Sequence, residues 1–406
     1  MAVKAIIDER ARGKAPPGNR RNVRKTTIHL PRLIDELSIP IERAGSGGGL
    51  TSAGDDLVLL TFEGHLFRIS GLDYTRAPIE VPDYGLDAYR AAAEGKYDHL
   101  SHAFWSFRYN DVLFYSTSES AGLAISYTQW FPERECYGTT VALLRLTAGQ
   151  SSLAGVSANA GDWEILFHSR PCLPLEDIGR AMDSEMAGGR LAFMAPDKIL
   201  LASGNYGWDG MFAPKSYEQD TAADYGKIIE IDVNDGSSRH ISRGHRNAQG
   251  ILVDREGDIW SVEHGPRGGD ELNLIAEGEN YGWPLATLGT RYNMMRIPPA
   301  ESFGFHDRGR PPVFAWLPSI GIANLAQADG FDPTWDGDLL VASMKKRTLF
   351  RIRVRDGHVR FAEPITIDYR LRYVHQHTDA RIALWTDAGI VLLLRRGDTE
   401  SAAHVI

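Results

Sequence analysis

Two stretches of the chain carry more chemistry-bearing residues than strands require: GHRNAQG from Gly244 to Gly250, and EHGPRGGDELNLI from Glu263 to Ile275, followed by NYGWP from Asn280. The pair Gly265-Pro266 sets backbone carbonyls in a fixed turn, and hard oxygen donors of that kind suit Ca2+, especially where a ligand's own oxygens complete the shell. Asp270 stands close enough in sequence to orient that loop or to join the metal set. A Gly-Pro pair alone reads as an ordinary turn. The density of unusual residues in both stretches makes it a candidate site.

The elements that would hold these residues come from a degenerate repeat. A turn pair followed by an apolar strand occurs six times, before LVLLTF at Leu57, VLFYST at Val112, ILLASG at Ile199, IWSVEH at Ile259, LLVASM at Leu339 and IALWTD at Ile382. An acidic or Asn residue tightens most of these turns. Each strand reads as buried on both faces, a short apolar run between turn signals. Alternating segments such as GKIIEIDVNDG and TLFRIRVRDG lie between them and end in hairpin turns. With almost no helical periodicity, the pattern predicts an all-β chain, a six-bladed β-propeller with four-stranded antiparallel blades. Six places after each first apolar residue stand Glu63, Ser118, Asn205, Gly265, Lys345 and Ala388, with His264 and Asp387 just before two of them. Chemical divergence at a symmetric position points to a ligand site at the hub.

Composition narrows the partners. A net charge of −9 on 406 residues argues against a nucleic-acid backbone as ligand. The one basic cluster, Arg20 to Lys25, closes a Pro/Gly/Arg-rich stretch that reads as a solvated tail. Residues 1–30 are therefore expected to be a tail and 31–406 a single propeller. No apolar run long enough for a secretory signal or a membrane span is present, so a soluble chain of unknown compartment is expected. Cys136 and Cys172 lack metal-ligand spacing and read most simply as free thiols, with a single bridge as the alternative.

From Gly188 to the C-terminus the motifs GGRLAF, GHRNAQG, EHGPRGGDELNLI, NYGWP, PPVFAWLPSI, GDLLVASMKK and the triplet Arg370-Leu371-Arg372 stand in one order. In this the chain resembles the soluble pyrroloquinoline quinone (PQQ) dependent sugar dehydrogenases (glucose, sorbosone and aldose dehydrogenases), most closely the aldose dehydrogenase branch. The resemblance implies PQQ and Ca2+ as cofactors and a sugar or other alcohol as small-molecule substrate, and it leaves a homodimer open. The family usually works in the periplasm or outside the cell. Arg246, Asn247, Lys345, Arg370 and Arg372 match the family's cofactor contacts, Gln249 and His264 belong to the same rim, and Arg246 is also a catalytic candidate. Gly265 and Pro266 match the carbonyl ligands of the Ca2+. Guanidinium groups suit a tricarboxylated quinone because they pair with carboxylates bidentately and stay charged. Trp283 and Trp316 read as blade packing.

The same comparison exposes a break. Family members place a general-base His four residues before the Arg of GGRL, where this chain has Met186, and an orienting Asp where it has Asn205. Met takes no proton, and Asn cannot hold an imidazolium. Three readings follow: Glu185 or Asp183 serves as a substitute base; the fold binds cofactor but catalyses something else; or it is a non-catalytic propeller binding a carboxylated ligand. A metal-dependent hydrolase or lactonase would need axial carboxylates, of which Glu63 and Asp387 are the main candidates.

Overall fold

Period-two alternation in the second strand of each repeat explains why these runs are continuously apolar. Leu57 and Leu59 pack into a cluster with Ala383, Trp385 and Leu393, while Val58 and Leu60, on the opposite face, pack with Val112, Leu123 and Ile125. Ile199 and Leu201 likewise pack with Val141 and Leu143, and Leu200 and Ala202 with Ile251 and Ile275. Each such strand lies between two neighbouring sheets, so both faces are core.

The computed structural model describes residues 21–396 except 28–29, 40, 42–46, 94–106, 176–185, 212 and 214. It is a six-bladed β-propeller. From the inside outward, blade 1 comprises Gly49–Ala53, Asp56–Leu60, Leu66–Ser70 and Asp73–Arg76; blade 2 comprises Tyr109–Ser116, Ala121–Phe131, Cys136–Leu146 and Glu164–His168. Blade 3 is Gly188–Met194, Lys198–Ser203, Lys227–Asp232 and Ser238–Arg243, and blade 4 is Ala248–Val253, Ile259–Glu263, Asp270–Ile275 and Phe314–Trp316. Blade 5 is Ile322–Gln327, Leu339–Ser343, Thr348–Arg355 and His358–Thr366. Blade 6 takes Leu371–Gln376, Ile382–Thr386 and Ile390–Arg396 from the end of the chain and is completed by Leu30–Ser38 from its beginning. Arg21–Thr27 pairs onto that strand, so strand pairing begins inside the stretch expected to be a tail. Residues 1–20 of that tail lie outside the described residues.

Two further expectations need correction. The VLFYST phrase belongs to the innermost strand of blade 2, whereas the other five phrases start second strands. Ser118 is therefore not equivalent to Asn205 or Lys345. Cys136 and Cys172 form a disulfide. Antiparallel pairing of Tyr137 with Leu173 and of Cys136 with Pro174 brings the two cysteines side by side, a proximity that a separation of 36 residues does not reveal.

Five of the six inner strands share a β-bulge at one height, between Tyr109/Asp111, Gly188/Arg190, Ala248/Gly250, Ile322/Asn324 and Leu371/Tyr373. A bulge bends the strand and re-aims the next side chain. Here it points Asp111, Arg190 and Tyr373 at one another. Arg190 Nη1 donates to the carbonyls of Gly48 and Asn110, both at 2.7 Å, Nε donates to that of Gln249 at 3.1 Å, and the guanidinium lies 4.9 Å from the Tyr373 ring centre. Asp111 lies 3.7 Å from Arg190 and accepts from Tyr373 Oη at 3.3 Å. Gly49 makes room for this layer, since a Cβ there would sit 2.0 Å from Asp111 Oδ1. The axis is thus plugged by a buried polar layer, which forms the floor of the site.

Candidate functional site

In an antiparallel blade the start of the inner strand and the end of the second strand lie at the same end. Arg246 and Asn247 precede the inner strand of blade 4, and Arg370 and Arg372 open that of blade 6. His264 to Pro266 follow the second strand of blade 4, and Lys345 and Asp387 follow those of blades 5 and 6. Met186 and Asn205 occupy the corresponding places in blade 3. Blade topology therefore delivers all of them to one end of the ring, above the Arg190 layer.

Arg246 is the most constrained of the cations. Its amide donates to Glu263 Oε2 at 2.8 Å, and its carbonyl accepts from the Asn205 amide at 3.1 Å. Nη1 donates to the carbonyls of His264 (3.2 Å) and Gly265 (3.3 Å), Nη2 lies 3.7 Å from Met186 Sδ, and the Trp283 ring centre is 5.2 Å from Cζ. Its Nε is buried without a hydrogen-bond partner among the described residues. Glu263, which holds the Arg246 amide, also accepts from Asn273 Nδ2 at 2.8 Å and faces His245 Nδ1 at 3.2 Å. Burial works to raise the Glu263 carboxyl, but His245 and the hydrogen bonds outweigh it and hold it below its ordinary value.

The Gly265-Pro266 loop is held from below. Gly265 N donates to Asp270 Oδ1 at 3.1 Å, while Asp270 Oδ2 accepts three consecutive amides of blade 5, those of Ile320, Gly321 and Ile322, at 2.9, 2.8 and 3.1 Å. With four amides on its two oxygens and no solvent exposure, Asp270 acts as a clip between blades. It does not reach the mouth as a metal ligand. The clipped segment in turn seats Lys345, whose amide donates to the Ile320 carbonyl at 3.1 Å and whose Cβ lies 2.9 Å from where a Cβ on Gly321 would stand. The Lys345 side chain itself is exposed.

Arg370 and Arg372 both pair with Asp387. Arg370 Nε to Oδ2 is 2.8 Å, Arg372 Nε to Oδ1 is 2.9 Å, and Arg372 Nη2 to Oδ2 is 3.2 Å. Burial pushes the Asp387 carboxyl up, but the two guanidiniums prevail and keep it below the usual carboxylate value. Asn247 Oδ1 accepts from Gln249 Nε2 at 2.7 Å, and the Asn247 carbonyl accepts from the His264 amide at 3.1 Å. His264 Nδ1 lies 3.8 Å from Asp270 Oδ1.

A cavity of about 20 Å³, enough for one water, is lined by Arg246, His264, Gly265, Pro266, Trp283 and His306, among others. A larger one of about 790 Å³ lies beside blade 1 and touches Glu63, His65, Arg76 and Tyr109 but not Arg246, Lys345, Arg370 or Arg372. The smaller cavity is the relevant one, because it brings the Arg246 guanidinium and the Gly265-Pro266 loop to one void. Trp316 is packed in the core between blades 4 and 5, whereas Trp283 does double duty under Arg246. Glu185 and Asp183 lie outside the described residues. Sequence reasoning missed Glu218, whose carboxyl bonds both Asn205 and Trp283, because nothing marks one Glu in a long irregular loop.

Residues 116–395 match the model of the glucose/sorbosone dehydrogenase family. The chain belongs to that family. Curated relatives align with part of the chain: an uncharacterized protein of Synechocystis is 30% identical over 262 residues, 58% of this chain and 59% of that one. An aldose sugar dehydrogenase of Escherichia coli is 36% identical over 160 residues, 38% of this chain and 42% of that one. The matched stretch thus spans under two thirds of these relatives' length. Among solved structures, the apo form of the soluble aldose sugar dehydrogenase from Escherichia coli superposes with a TM-score of 0.68 at 23% identity, over 90% of this chain and 99% of that one. The PQQ-bound aldose sugar dehydrogenase of Streptomyces coelicolor gives 0.58 at 20% identity, over 94% and 99%. At such identities these likenesses speak to the shared propeller. Family membership sets the chain among proteins grouped as glucose/sorbosone dehydrogenases.

Proposed function

We propose that the chain binds PQQ and Ca2+ at the cationic end of the ring and oxidises a sugar or other alcohol by hydride transfer to the quinone. The observation that carries this reading is Arg246: a braced guanidinium whose buried Nε has no partner among the described residues, at the end that also receives Lys345, Arg370 and Arg372. Such a donor set fits a ligand with several carboxylates. The Gly265 carbonyl, already facing the Arg246 cation, is hard oxygen of the kind Ca2+ takes. Gly265 and Pro266 would hold the ion, while Arg246, Asn247, Lys345, Arg370 and Arg372 would hold the cofactor. When bound, the quinone supplies a two-electron acceptor and the ion polarises its oxygen. Arg246 neutralises charge, the Asp270 clip fixes the loop, and the Arg190 layer closes the floor against water entering along the axis.

At the place where the family's base is read to stand, the thioether of Met186 lies against Arg246 and takes no proton. A missing base costs about 10²- to 10⁴-fold in rate, so slow turnover is expected. The double variant Met186→His with Asn205→Asp, loaded with PQQ and Ca2+ and assayed by dye reduction on a panel of aldoses and polyols, is expected to raise that turnover by about 10²-fold or more. Bound PQQ without turnover in either protein would favour the second reading, a non-catalytic propeller that captures a carboxylated ligand. The Met186 contact is the observation on that side.

A further inference from the structure

Glu218 lies between the second and third strands of blade 3, and its side chain has no solvent exposure. Oε1 accepts from Asn205 Nδ2 and, at 3.1 Å, from Trp283 Nε1; Oε2 accepts from Ser216 Oγ at 2.6 Å. The first two partners both hold Arg246. The Asn205 amide donates to the Arg246 carbonyl at 3.1 Å, and the Trp283 ring lies under the guanidinium at 5.2 Å. One carboxyl therefore braces the backbone and the side chain of the same arginine.

We infer that Glu218 is a positioning residue which, through Trp283 and Asn205, aims the Arg246 guanidinium at a carboxylate of the anionic ligand. The inference rests on the proposed PQQ site and deepens it. Its charge state suits the role. Burial pushes the Glu218 carboxyl up to about 8, with Asp209 adding to the rise and the bonds from Ser216 and Asn205 opposing it. The nearby ammonium of Lys227 spends its three protons on the carbonyls of Tyr217, Glu218 and Tyr225, at 2.8, 3.0 and 2.8 Å. Among the described residues, Lys227, whose ammonium burial pulls down to about 8, and Asp209 face Glu218, with Arg246 across the Trp283 ring. At neutral pH the acid is protonated, and Ser216 Oγ can take its proton as acceptor. A neutral acid holds Trp283 and Asn205 without competing with the ligand for the charge of Arg246. An ionised one draws that charge back.

Ligand-free crystal structures of the wild type, Glu218→Gln and Glu218→Ala, together with PQQ titrations followed by absorbance, test the assignment. Glu218→Gln keeps the acceptor and is expected to leave Trp283 and Arg246 in place, with affinity at pH 7 within about twofold. Glu218→Ala is expected to displace both side chains and weaken PQQ about tenfold, and Trp283→Phe, which removes the indole donor and part of the ring face under Arg246, to lose part of that. Wild-type affinity falls more steeply between pH 7 and pH 9 than that of Glu218→Gln, in which the Lys227 ammonium, pulled down to about 8 by burial, still titrates. Unmoved Trp283 and Arg246 in Glu218→Ala, or equal PQQ affinity in Glu218→Ala and Trp283→Phe as in the wild type, overturns the inference. A wild type that binds no PQQ sinks the proposed cofactor instead, and the ligand-free structures still decide the role of Glu218.

Discussion

Asp387 decides how Arg370 and Arg372, two of the four cations proposed to hold the cofactor, behave before any ligand arrives. Arg372 is only 8% exposed in its side chain and Asp387 only 20%, so this is a largely buried pair, and removing one partner strands the other. Asp387→Asn is expected to cost about 2 to 4 kcal/mol at pH 7, read by urea denaturation. Since the folded carboxyl is held below its ordinary 3.8, that stabilisation is full at neutral pH and disappears as the pH falls through the folded value. Glu218 has the opposite sign. Its folded carboxyl keeps its proton up to about 8 while the unfolded one loses it near 4.5, so wild-type stability declines relative to Glu218→Gln across that window and levels off above it. Melting temperatures of the two proteins at pH 5, 7 and 9 check this; a constant difference contradicts it. Lys345, Arg370 and Arg372 were legible in the sequence because motif order marks them. Glu218 and the plugging pair Asp111 and Arg190 were not, because their meaning lies in contacts across blades.

The element that matters most to the site is the Asp270 clip. Four amides from two blades converge on its carboxylate, and truncation leaves all four buried. Asp270→Ala is expected to lower stability by about 3 to 5 kcal/mol in urea denaturation, with the Gly265-Pro266 loop becoming protease-sensitive. A loss under about 1 kcal/mol would contradict the clip. Second strands were readable because burial on both faces leaves a continuous apolar run. Inner strands were harder to read. The bulge shared by five of them breaks the alternation, and in blade 2 the inner strand was grouped with the five other phrases because Val112, Phe114 and Tyr115 make it equally apolar.

Across the whole molecule, the ring closes by pairing the start of the chain with its end. Arg32 to Ser38 run antiparallel to Ile390 to Arg396, and the apolar layer of Ile34, Leu37 and Ile39 packs against blades 5, 6 and 1. Removing residues 1–38 exposes the edge of Ile390–Arg396 and is expected to replace a single cooperative calorimetric transition by aggregation at lower temperature. The blade count followed from repetition, whereas this closure did not, because the closing strand Leu30–Ser38 stands apart from the six repeated phrases. Closure also brings blade 6, with Arg370 and Arg372, round to the end that carries Arg246 and Lys345. Absorbance titration of the full chain with PQQ in the presence of Ca2+, repeated on Arg246→Ala and on Lys345→Ala, tests that convergence most directly. The account predicts saturable binding by the wild type and a loss of about tenfold or more in each variant. Identical affinity in all three proteins would contradict it.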